Sequence, residues 1–176
     1  MRSTGLVLVA SVVAMLLFAG CLTAPVDGPA DPPHDRTASY TVSNADDESY
    51  VVTVSFAPTV EGFEVTFANE STTRYPGASS LDEIPRSRVS RAVRVVPLGD
   101  DVRTFSHRLR PGDGVGNTVS SLRRDAVLVY TIATPGQTEP MRSVGVDSCG
   151  TGTTESTHDI RIDSTQSVDV GTTCRG

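Results

Sequence analysis

After residue 38 the chain alternates between short apolar runs and polar breaks that contain glycine, proline, asparagine or aspartate. Between Val51 and Phe67 the apolar residues recur at every second position, the period of a strand with one buried and one solvated face. Val- and Thr-rich runs between turn residues predict strands. The predicted strands are Ser39–Ser43, Ser49–Phe56, Phe63–Ala68, Ala92–Pro97, Val102–Leu109, Ala126–Ala133, Met141–Asp147, Thr157–Ile162 and Ser167–Val170.

Short strands at turn-marked intervals predict an all-β fold, an immunoglobulin-like sandwich of two antiparallel sheets over residues 39–176. The run Ala126–Ile132 is almost continuously apolar, which favours a central strand. Near Ser80 we expect one helical turn, because the segment that follows is rich in β-branched residues and bracketed by prolines. The glycine-rich stretch Gly112–Asn117 lies between predicted strands and is interpreted as a tight turn rather than a phosphate-binding loop.

The first 21 residues follow a different pattern. Arg2 precedes an apolar run from Leu6 to Phe18, and small residues then lead to Cys21. A cationic start, an apolar core of about 7–15 residues and small residues before the cut are typical of a secretory signal peptide. A membrane-spanning helix needs about 20 apolar residues. We therefore predict a cleaved signal peptide over residues 1–20, with a retained spanning anchor as the alternative.

The residues Phe18-Ala19-Gly20-Cys21 resemble the lipobox of exported prokaryotic lipoproteins. The resemblance implies that the thiol of Cys21 carries a lipid and anchors the chain at the outer face of the cell membrane. A buried or disulfide-bonded Cys21 is the alternative. Residues 21–38 contain four prolines and three aspartates, a composition that keeps a chain extended, and are predicted to form a tether.

The composition indicates the environment of the protein and excludes several classes of enzyme. All 15 basic residues are arginine, and the net charge is −6. Many carboxylates without lysine resemble extracellular proteins of salt-loving archaea; a GC-rich genome that favours arginine codons is the alternative. Because lysine is absent, the chain has no P-loop lysine, no Schiff-base amine and no Ser-x-x-Lys acyl enzyme.

Cys149 and Cys174 are predicted to form a disulfide, because exported proteins meet oxidising surroundings. A copper site of the cupredoxin type needs histidines, a thiolate and usually a methionine, with the cysteine, second histidine and methionine close together near the C-terminus in that family. Here His158 lies nine residues after Cys149, and Met141 precedes the cysteine. The spacing does not fit such a site.

Three histidines, His34, His107 and His158, are scattered along the sequence. They are interpreted as surface residues, because a zinc site needs three or four converging ligands. We predict no metal and no cofactor. Asn69-Glu70-Ser71 is an acceptor triplet for N-glycosylation, which makes Asn69 a candidate modification site; chance occurrence in a chain rich in Ser and Thr is the alternative.

The charges are unevenly distributed. Residues 39–85 contain one arginine and eight carboxylates, whereas residues 86–124 contain nine arginines and three carboxylates. In one interpretation the two segments pair across neighbouring strands and many arginines form carboxylate bridges. In the other, arginines form a face for an anionic partner. The candidate residues of that face are Arg86, Arg88, Arg91, Arg94, Arg103, Arg108 and Arg110.

These patterns predict a lipid-anchored cell-surface β-sandwich that acts as a non-catalytic binding or structural module of the envelope. Its expected partners are the membrane, through the lipid, and an envelope protein or anionic surface polymer, but no nucleic acid. The alternatives are a small exported enzyme or electron carrier with an unrecognised site, and an accessory protein of a surface transport system. Convergent Ser, His and Asp side chains in one pocket would favour the enzyme.

Overall fold

The computed structural model describes residues 36–163 and 167–176. The predicted signal peptide, Cys21, His34 and most of the predicted tether lie outside these residues. No helix in the described part of the chain is long and apolar enough to cross a membrane. The strands are β1 (Arg36–Asn44), β2 (Tyr50–Ala57), β3 (Gly62–Phe67), β4 (Thr72–Pro76), β5 (Ala92–Leu98), β6 (Arg103–Leu109), β7 (Gly114–Leu122), β8 (Val127–Ala133), β9 (Met141–Ser148), β10 (Glu155–Ile162) and β11 (Val168–Arg175).

The strands form three sheets. The outer sheet has the order β11-β10-β1-β7, the central sheet β6-β2-β8-β9 and the small sheet β4-β3-β5. The described strand pairs are antiparallel, except that β1 and β10 run parallel. The outer and central sheets face each other across a shared core, which confirms the predicted immunoglobulin-like sandwich. The small sheet adds a third layer, because β5 packs against β2, β8 and β9.

The first core lies between the outer and central sheets. Side chains of six strands, β1, β2, β6, β7, β8 and β10, point into it, among them Tyr40, Phe56, Ile132 and Ile160, each at most 1% exposed. Full burial of a side chain of this size contributes about 1.5–3 kcal/mol. This core therefore holds the two facing sheets together.

A second core lies between the central and small sheets and includes Phe63 of β3, Val95 of β5 and Val129 of β8. Strand β8 contributes to both cores, since Leu128 and Ile132 belong to the first. A strand buried on both faces needs apolar residues at successive positions. The prediction of a central strand from the continuous apolar run is confirmed.

Two strands, β4 and β7, were not predicted from the sequence. Strand β7 begins at Gly114, inside the stretch interpreted as a tight turn, and only the preceding residues, with Gly112 at a φ of 80°, form a turn. A Cβ at Gly116 would lie 3.1 Å from the carbonyl oxygen of Tyr40, so this glycine permits close pairing with β1. Both strands are largely exposed and polar, and they lack the apolar alternation that identifies a strand.

The expected helical turn is present as a 3₁₀ turn at Leu81–Glu83 followed by a short helix, α1 (Arg86–Val89). Strand β5 follows α1 directly, as predicted. Strand β1 begins at Arg36 rather than at Ser39, because the chain is already paired with β7 and β10 at this point. The early start places the Arg36 side chain between the sheets.

Candidate functional site

Polar side chains form a hydrogen-bonded chain between the outer and central sheets. Ser156 and His158 stand two residues apart on β10 and share its inward face; they are 1% and 0% exposed. Nδ1 of His158 lies 2.8 Å from Oδ2 of Asp147 on β9. Nε2 of His158 lies 3.2 Å from Oγ of Ser156. These contacts have the connectivity of a serine-hydrolase triad.

Arg36 extends the chain at the serine end. Its Nη2 donates to Oγ of Ser156 at 2.9 Å, and its Nη1 donates to two backbone carbonyls. Thr172 on β11 donates to the same Asp147 oxygen that contacts His158. With the proton of His158 on Nδ1, Arg36 donates to Ser156, Ser156 donates to Nε2 of His158, and Nδ1 of His158 donates to Asp147. We call Arg36, Ser156, His158 and Asp147 the buried polar chain.

The charged ends of the buried polar chain stabilise each other. Burial acts to raise the pKa of Asp147, but hydrogen bonds from Thr172 and His158 outweigh it and hold that pKa below its usual value. Burial lowers the pKa of Arg36, while the carboxylates of Asp147 and Asp125 oppose this effect. A buried charge is costly unless it is compensated; Nη1 and Nη2 of Arg36 donate hydrogen bonds, while its buried Nε has no hydrogen-bond partner among the described residues.

Access distinguishes this arrangement from a catalytic triad. A nucleophilic oxygen has to reach its substrate, but Ser156 is 1% exposed and its Oγ accepts a hydrogen bond from the Arg36 guanidinium. The structure brings Ser, His and Asp together, yet they do not meet in an open pocket. The prediction that His158 lies at the surface is wrong. His158 lies two residues before the buried Ile160 on β10 and therefore shares its inward face, which is the sequence signal for burial.

His107 provides a second polar contact between the sheets. Its Nε2 lies 2.7 Å from the hydroxyl of Tyr40 on β1, which is fully buried. Burial lowers the pKa of His107. Burial also raises the pKa of Tyr40, with a hydrogen bond from Asn117 opposing the shift. His107 is half-buried rather than a surface residue, and its alternation with Phe105 on β6 is the signal that sequence reasoning missed.

The predicted disulfide between Cys149 and Cys174 is confirmed, with the two Cα atoms 5.8 Å apart. Cys174 lies on β11 directly opposite Ser156 of β10. The disulfide therefore joins the end of β9 to β11 beside the buried polar chain. In the loop-entropy description, a cross-link of this span contributes about 3–4 kcal/mol.

The seven candidate arginines do not form the expected carboxylate bridges. Within residues 36–163 and 167–176, none of the seven has an ion pair with a carboxylate. The acidic and basic segments do pair as strands, but Arg103 and Arg108 stand opposite Phe56 and Val51. Arg94 stands opposite Thr66. Strand register thus places no carboxylate directly across from Arg94, Arg103 or Arg108.

Five of the seven arginines surround the loop between β8 and β9. Three grooves reach this loop, one at Thr138 and two at Pro135, and these five arginines line them. The loop residues 135–139 are exposed. We call the loop and these arginines the loop surface. Its arginines are Arg88, Arg91, Arg94, Arg108 and Arg110.

The other two arginines lie apart from the loop surface. Arg86 lines a different groove, together with Val144 and Val146 on the edge strand β9. Arg103 donates a hydrogen bond to the carbonyl oxygen of Ser120 at 2.7 Å. The predicted arginine face is thus divided: the structure groups five of its members and separates two.

Within the loop surface, Arg88 and Arg94 differ in their contacts. The Arg88 guanidinium lies over the Phe67 ring, 5.9 Å from its centroid, a distance at which a cation and a ring attract each other. Arg94 is half-buried, and its Nη2 lies 3.3 Å from Oγ1 of Thr66. Arg88 is therefore an exposed side chain in contact with one ring, whereas Arg94 is partly engaged within the small sheet.

Asn69 lies in the exposed turn between β3 and β4. Its Oδ1 accepts hydrogen bonds from the backbone N–H and the Oγ of Ser71, at 3.2 and 2.7 Å. Asn69 also lines the groove that contains Arg88. Its glycosylation stays a prediction. Across the described ranges, no group of three or more His, Cys, Asp or Glu side chains is placed to hold a metal ion.

The facing sheets, the disulfide and the closed polar interior define an immunoglobulin-like β-sandwich domain. The chain belongs to the halobacterial Ig domain protein family, whose model matches residues 1–176. A search of the curated proteins gave no match.

Solved structures with similar folds include a bacterial lipoprotein and two toxins. The type VI secretion (T6SS) lipoprotein TssJ1 from Pseudomonas aeruginosa is 15% identical, with a TM-score of 0.42 over 82% of this chain and 98% of that one. The membrane-binding domain of pneumolysin is 9% identical, with a TM-score of 0.35 over 80% of this chain and 99% of that one. The human-specific toxin intermedilysin is 9% identical, with a TM-score of 0.36 over 81% of this chain and 24% of that one. These similarities are too distant to carry a functional argument.

Proposed function

We propose that this protein is a non-catalytic module of the cell envelope, anchored to the outer face of the membrane through a lipid on Cys21, that binds an acidic partner at the loop surface. The observation that carries this proposal is a difference in charge pairing. Inside the sandwich, Arg36 and Asp147 are linked by hydrogen bonds. At the loop surface, five arginines surround one exposed loop without a carboxylate bridge among the described residues.

The envelope location is supported by the sequence and by the disulfide. The short apolar run that ends in Ala19-Gly20-Cys21 is typical of an exported lipoprotein. The disulfide between Cys149 and Cys174 suits an oxidising compartment. Changing Cys21 to Ser should release the protein from membranes, measured by fractionation of the producing cells. Membrane retention of an uncleaved, full-length chain would instead establish the apolar run as a spanning anchor.

The non-catalytic role is supported by the inaccessibility of Ser156. The rival function is a serine hydrolase, favoured by the triad-like contacts of Ser156, His158 and Asp147. A fluorophosphonate probe reacts with an activated, accessible serine, so the folded full-length protein should remain unlabelled. Labelling that disappears in the Ser156→Ala variant would contradict the proposal and establish the hydrolase.

High salt determines how the loop surface would bind. The Debye length is about 3 Å at 1 M salt, so only charges in direct contact with a partner contribute. Arginine suits direct contact, because its planar guanidinium forms two parallel hydrogen bonds with a carboxylate or sulfate. An exposed loop bordered by several such groups can hold an extended acidic partner at several contact points.

The loop-surface proposal is tested with the full-length protein in detergent and soluble acidic polymers of defined chemistry. Polyglutamate, polygalacturonate and dextran sulfate are the probes, titrated by calorimetry at high salt. We expect at least one to bind, and charge reversal of Arg88, Arg91 and Arg108 to abolish that binding. Reversal of Arg86 is the matched control, because Arg86 is exposed and lies outside the loop surface. Failure of every probe, or equal loss with the control, would contradict the proposal.

A further inference from the structure

We propose that the groove between the β3–β4 turn and α1 is a subsite for an acidic sugar unit that carries a carboxylate or sulfate group. This inference rests on the proposed function, because it names the class of acidic partner and the part of the loop surface that recognises it. The groove has a volume of about 430 Å³ and is open to solvent. We call it the turn groove; the residues used below are Phe67, Asn69, Ser71, Arg88, Arg91 and Thr138.

Charge separates the turn groove from the other grooves of the loop surface. Its lining contains Arg88 and Arg91 and no carboxylate. The groove of Arg108 and Arg110 also contains the carboxylate of Glu48, which is paired with Arg142 at 2.9 Å, so negative charge is already present in that groove. The third groove is mainly apolar, and its arginine is the half-buried Arg94. The turn groove is therefore the part of the loop surface best suited to a negative charge.

The position of Arg88 favours a planar anion. Its guanidinium lies over the ring of Phe67, 5.9 Å from the centroid, and contact with a ring face leaves N–H groups free to donate. Both Arg88 and Arg91 are exposed. The ring contact restricts the Arg88 side chain in part, which lowers the conformational entropy lost on binding. Arg88 is thus arranged to bind a carboxylate or sulfate through two hydrogen bonds.

The remaining wall favours a sugar over the other acidic polymers. Asn69, Ser71 and Thr138 lie on this wall; Oδ1 of Asn69 already accepts from Ser71, which leaves the Asn69 amide NH₂ to donate, the Ser71 hydroxyl oxygen to accept and the Thr138 hydroxyl to do both with sugar hydroxyls. Polyglutamate offers backbone amides to these groups but no hydroxyls. A single-stranded nucleic acid needs an exposed aromatic face for base stacking, but the guanidinium of Arg88 lies over the Phe67 ring.

The experiment compares two paired variants of the full-length protein in detergent. Calorimetric titrations at high salt use polygalacturonate, dextran sulfate, neutral dextran and polyglutamate. We expect an acidic polysaccharide to bind the unmodified protein and neutral dextran not to bind. Arg88→Gln with Arg91→Gln should weaken binding at least about tenfold, since both charged donors of the turn groove are lost. Arg108→Gln with Arg110→Gln should weaken binding less, since Glu48 lies in that groove. Arg86→Gln is the matched control and should change binding less than about threefold, since Arg86 is exposed and lies outside the loop surface.

The outcomes separate this inference from the proposed function. A large loss of binding in the Arg108 and Arg110 variant, with no loss in the Arg88 and Arg91 variant, would contradict the assignment of the subsite to the turn groove. It would leave the loop surface as the binding region. If polyglutamate binds and neither acidic polysaccharide does, the proposal of a sugar ligand is contradicted, and the proposal of an acidic partner stands. Binding of neutral dextran as tightly as the acidic chains would overturn the role of the anion. Failure of all acidic probes would remove both proposals.

Discussion

The buried polar chain and the loop surface both depend on arginine, but the two regions use its charge in opposite ways. Arg36 is 1% exposed, donates to a serine and to backbone carbonyls, and is connected through His158 to a carboxylate. Arg88 and Arg91 are exposed, line an open groove and form no carboxylate bridge within the described residues. The first arrangement connects two sheets, whereas the second leaves guanidinium groups available to a ligand.

The difference follows from the cost of an unpaired charge in each place. An interior acceptor that loses its hydrogen-bond donor costs about 1–3 kcal/mol, and Arg36 donates to three acceptors. An exposed charge is solvated, and its substitution usually changes stability by less than about 0.5 kcal/mol. Arginines of the two regions should therefore separate into residues that determine stability and residues that determine binding.

The largest expected effect is at Arg36. Arg36→Met should lower the free energy of unfolding by about 3–5 kcal/mol, because Ser156 and two backbone carbonyls lose their donor and each unsatisfied buried group costs about 1–3 kcal/mol. Urea unfolding of the full-length protein measures this change. Arg88→Met is the matched control and should stay within about 0.5 kcal/mol of the unmodified protein. Equal effects of the two substitutions would remove the distinction between the regions.

The next effect concerns the disulfide beside the buried polar chain. Replacing Cys149 and Cys174 together by Ser should lower the free energy of unfolding by about 2–4 kcal/mol, because the unfolded chain gains freedom. Unfolding of this variant is compared with unfolding of the unmodified protein without reductant. Mass analysis of non-reduced peptides should show the two cysteines linked. Two freely alkylated thiols in the folded protein would contradict the bond.

A smaller effect should appear in the acid range. The pKa of Asp147 is held below its usual value, so its contribution to stability is present above the unfolded pKa of about 3.9. That contribution is lost as the pH falls through the lower folded value. The Asp147→Asn variant should be less stable at neutral pH and should show a weaker loss of stability on acidification. An unchanged acid profile would show that Asp147 does not stabilise the fold through its charge.

The sequence predicts the sandwich and its disulfide but not the two regions that differ most. Alternation of polar and apolar residues identifies strands such as β2 and β3, because their apolar side chains share one face and pack into a core. It does not identify β7, whose pairing depends on the close approach of Gly116 to β1 rather than on apolar side chains. The third sheet is also not predicted from the sequence, since the pattern of a strand does not show against which sheet it packs.

The two regions themselves depend on register and on long-range packing. The buried polar chain brings Arg36 of β1 to Ser156 of β10, 120 residues apart in sequence. Local patterns contain no signal for that contact, although the alternation of His158 with Ile160 does indicate that the histidine points inward. The grouping of arginines around the β8–β9 loop likewise requires the packing of β5 and β6 beside that loop. The sequence alone identifies the seven arginines as one group, but it does not show that five lie around the loop and two lie elsewhere.

The smallest effect on stability is expected at the loop surface, and it accompanies the largest effect on binding. Charge reversal of Arg88, Arg91 and Arg108 should change the free energy of unfolding by about 0.5 kcal/mol or less per site. The same variant should lose binding of the acidic polymer that the unmodified protein binds. Urea unfolding and calorimetric titration of one preparation provide both values.

The most direct test of the central claim is this pair of measurements on the triple variant Arg88→Glu, Arg91→Glu and Arg108→Glu. The division between structural and ligand-binding arginines predicts a protein that is folded, close to the unmodified protein in stability and unable to bind the acidic polymer. A variant that loses several kcal/mol of stability would show that these arginines hold the sandwich together. A stable variant with unchanged binding would place the ligand elsewhere, and either result would contradict the division.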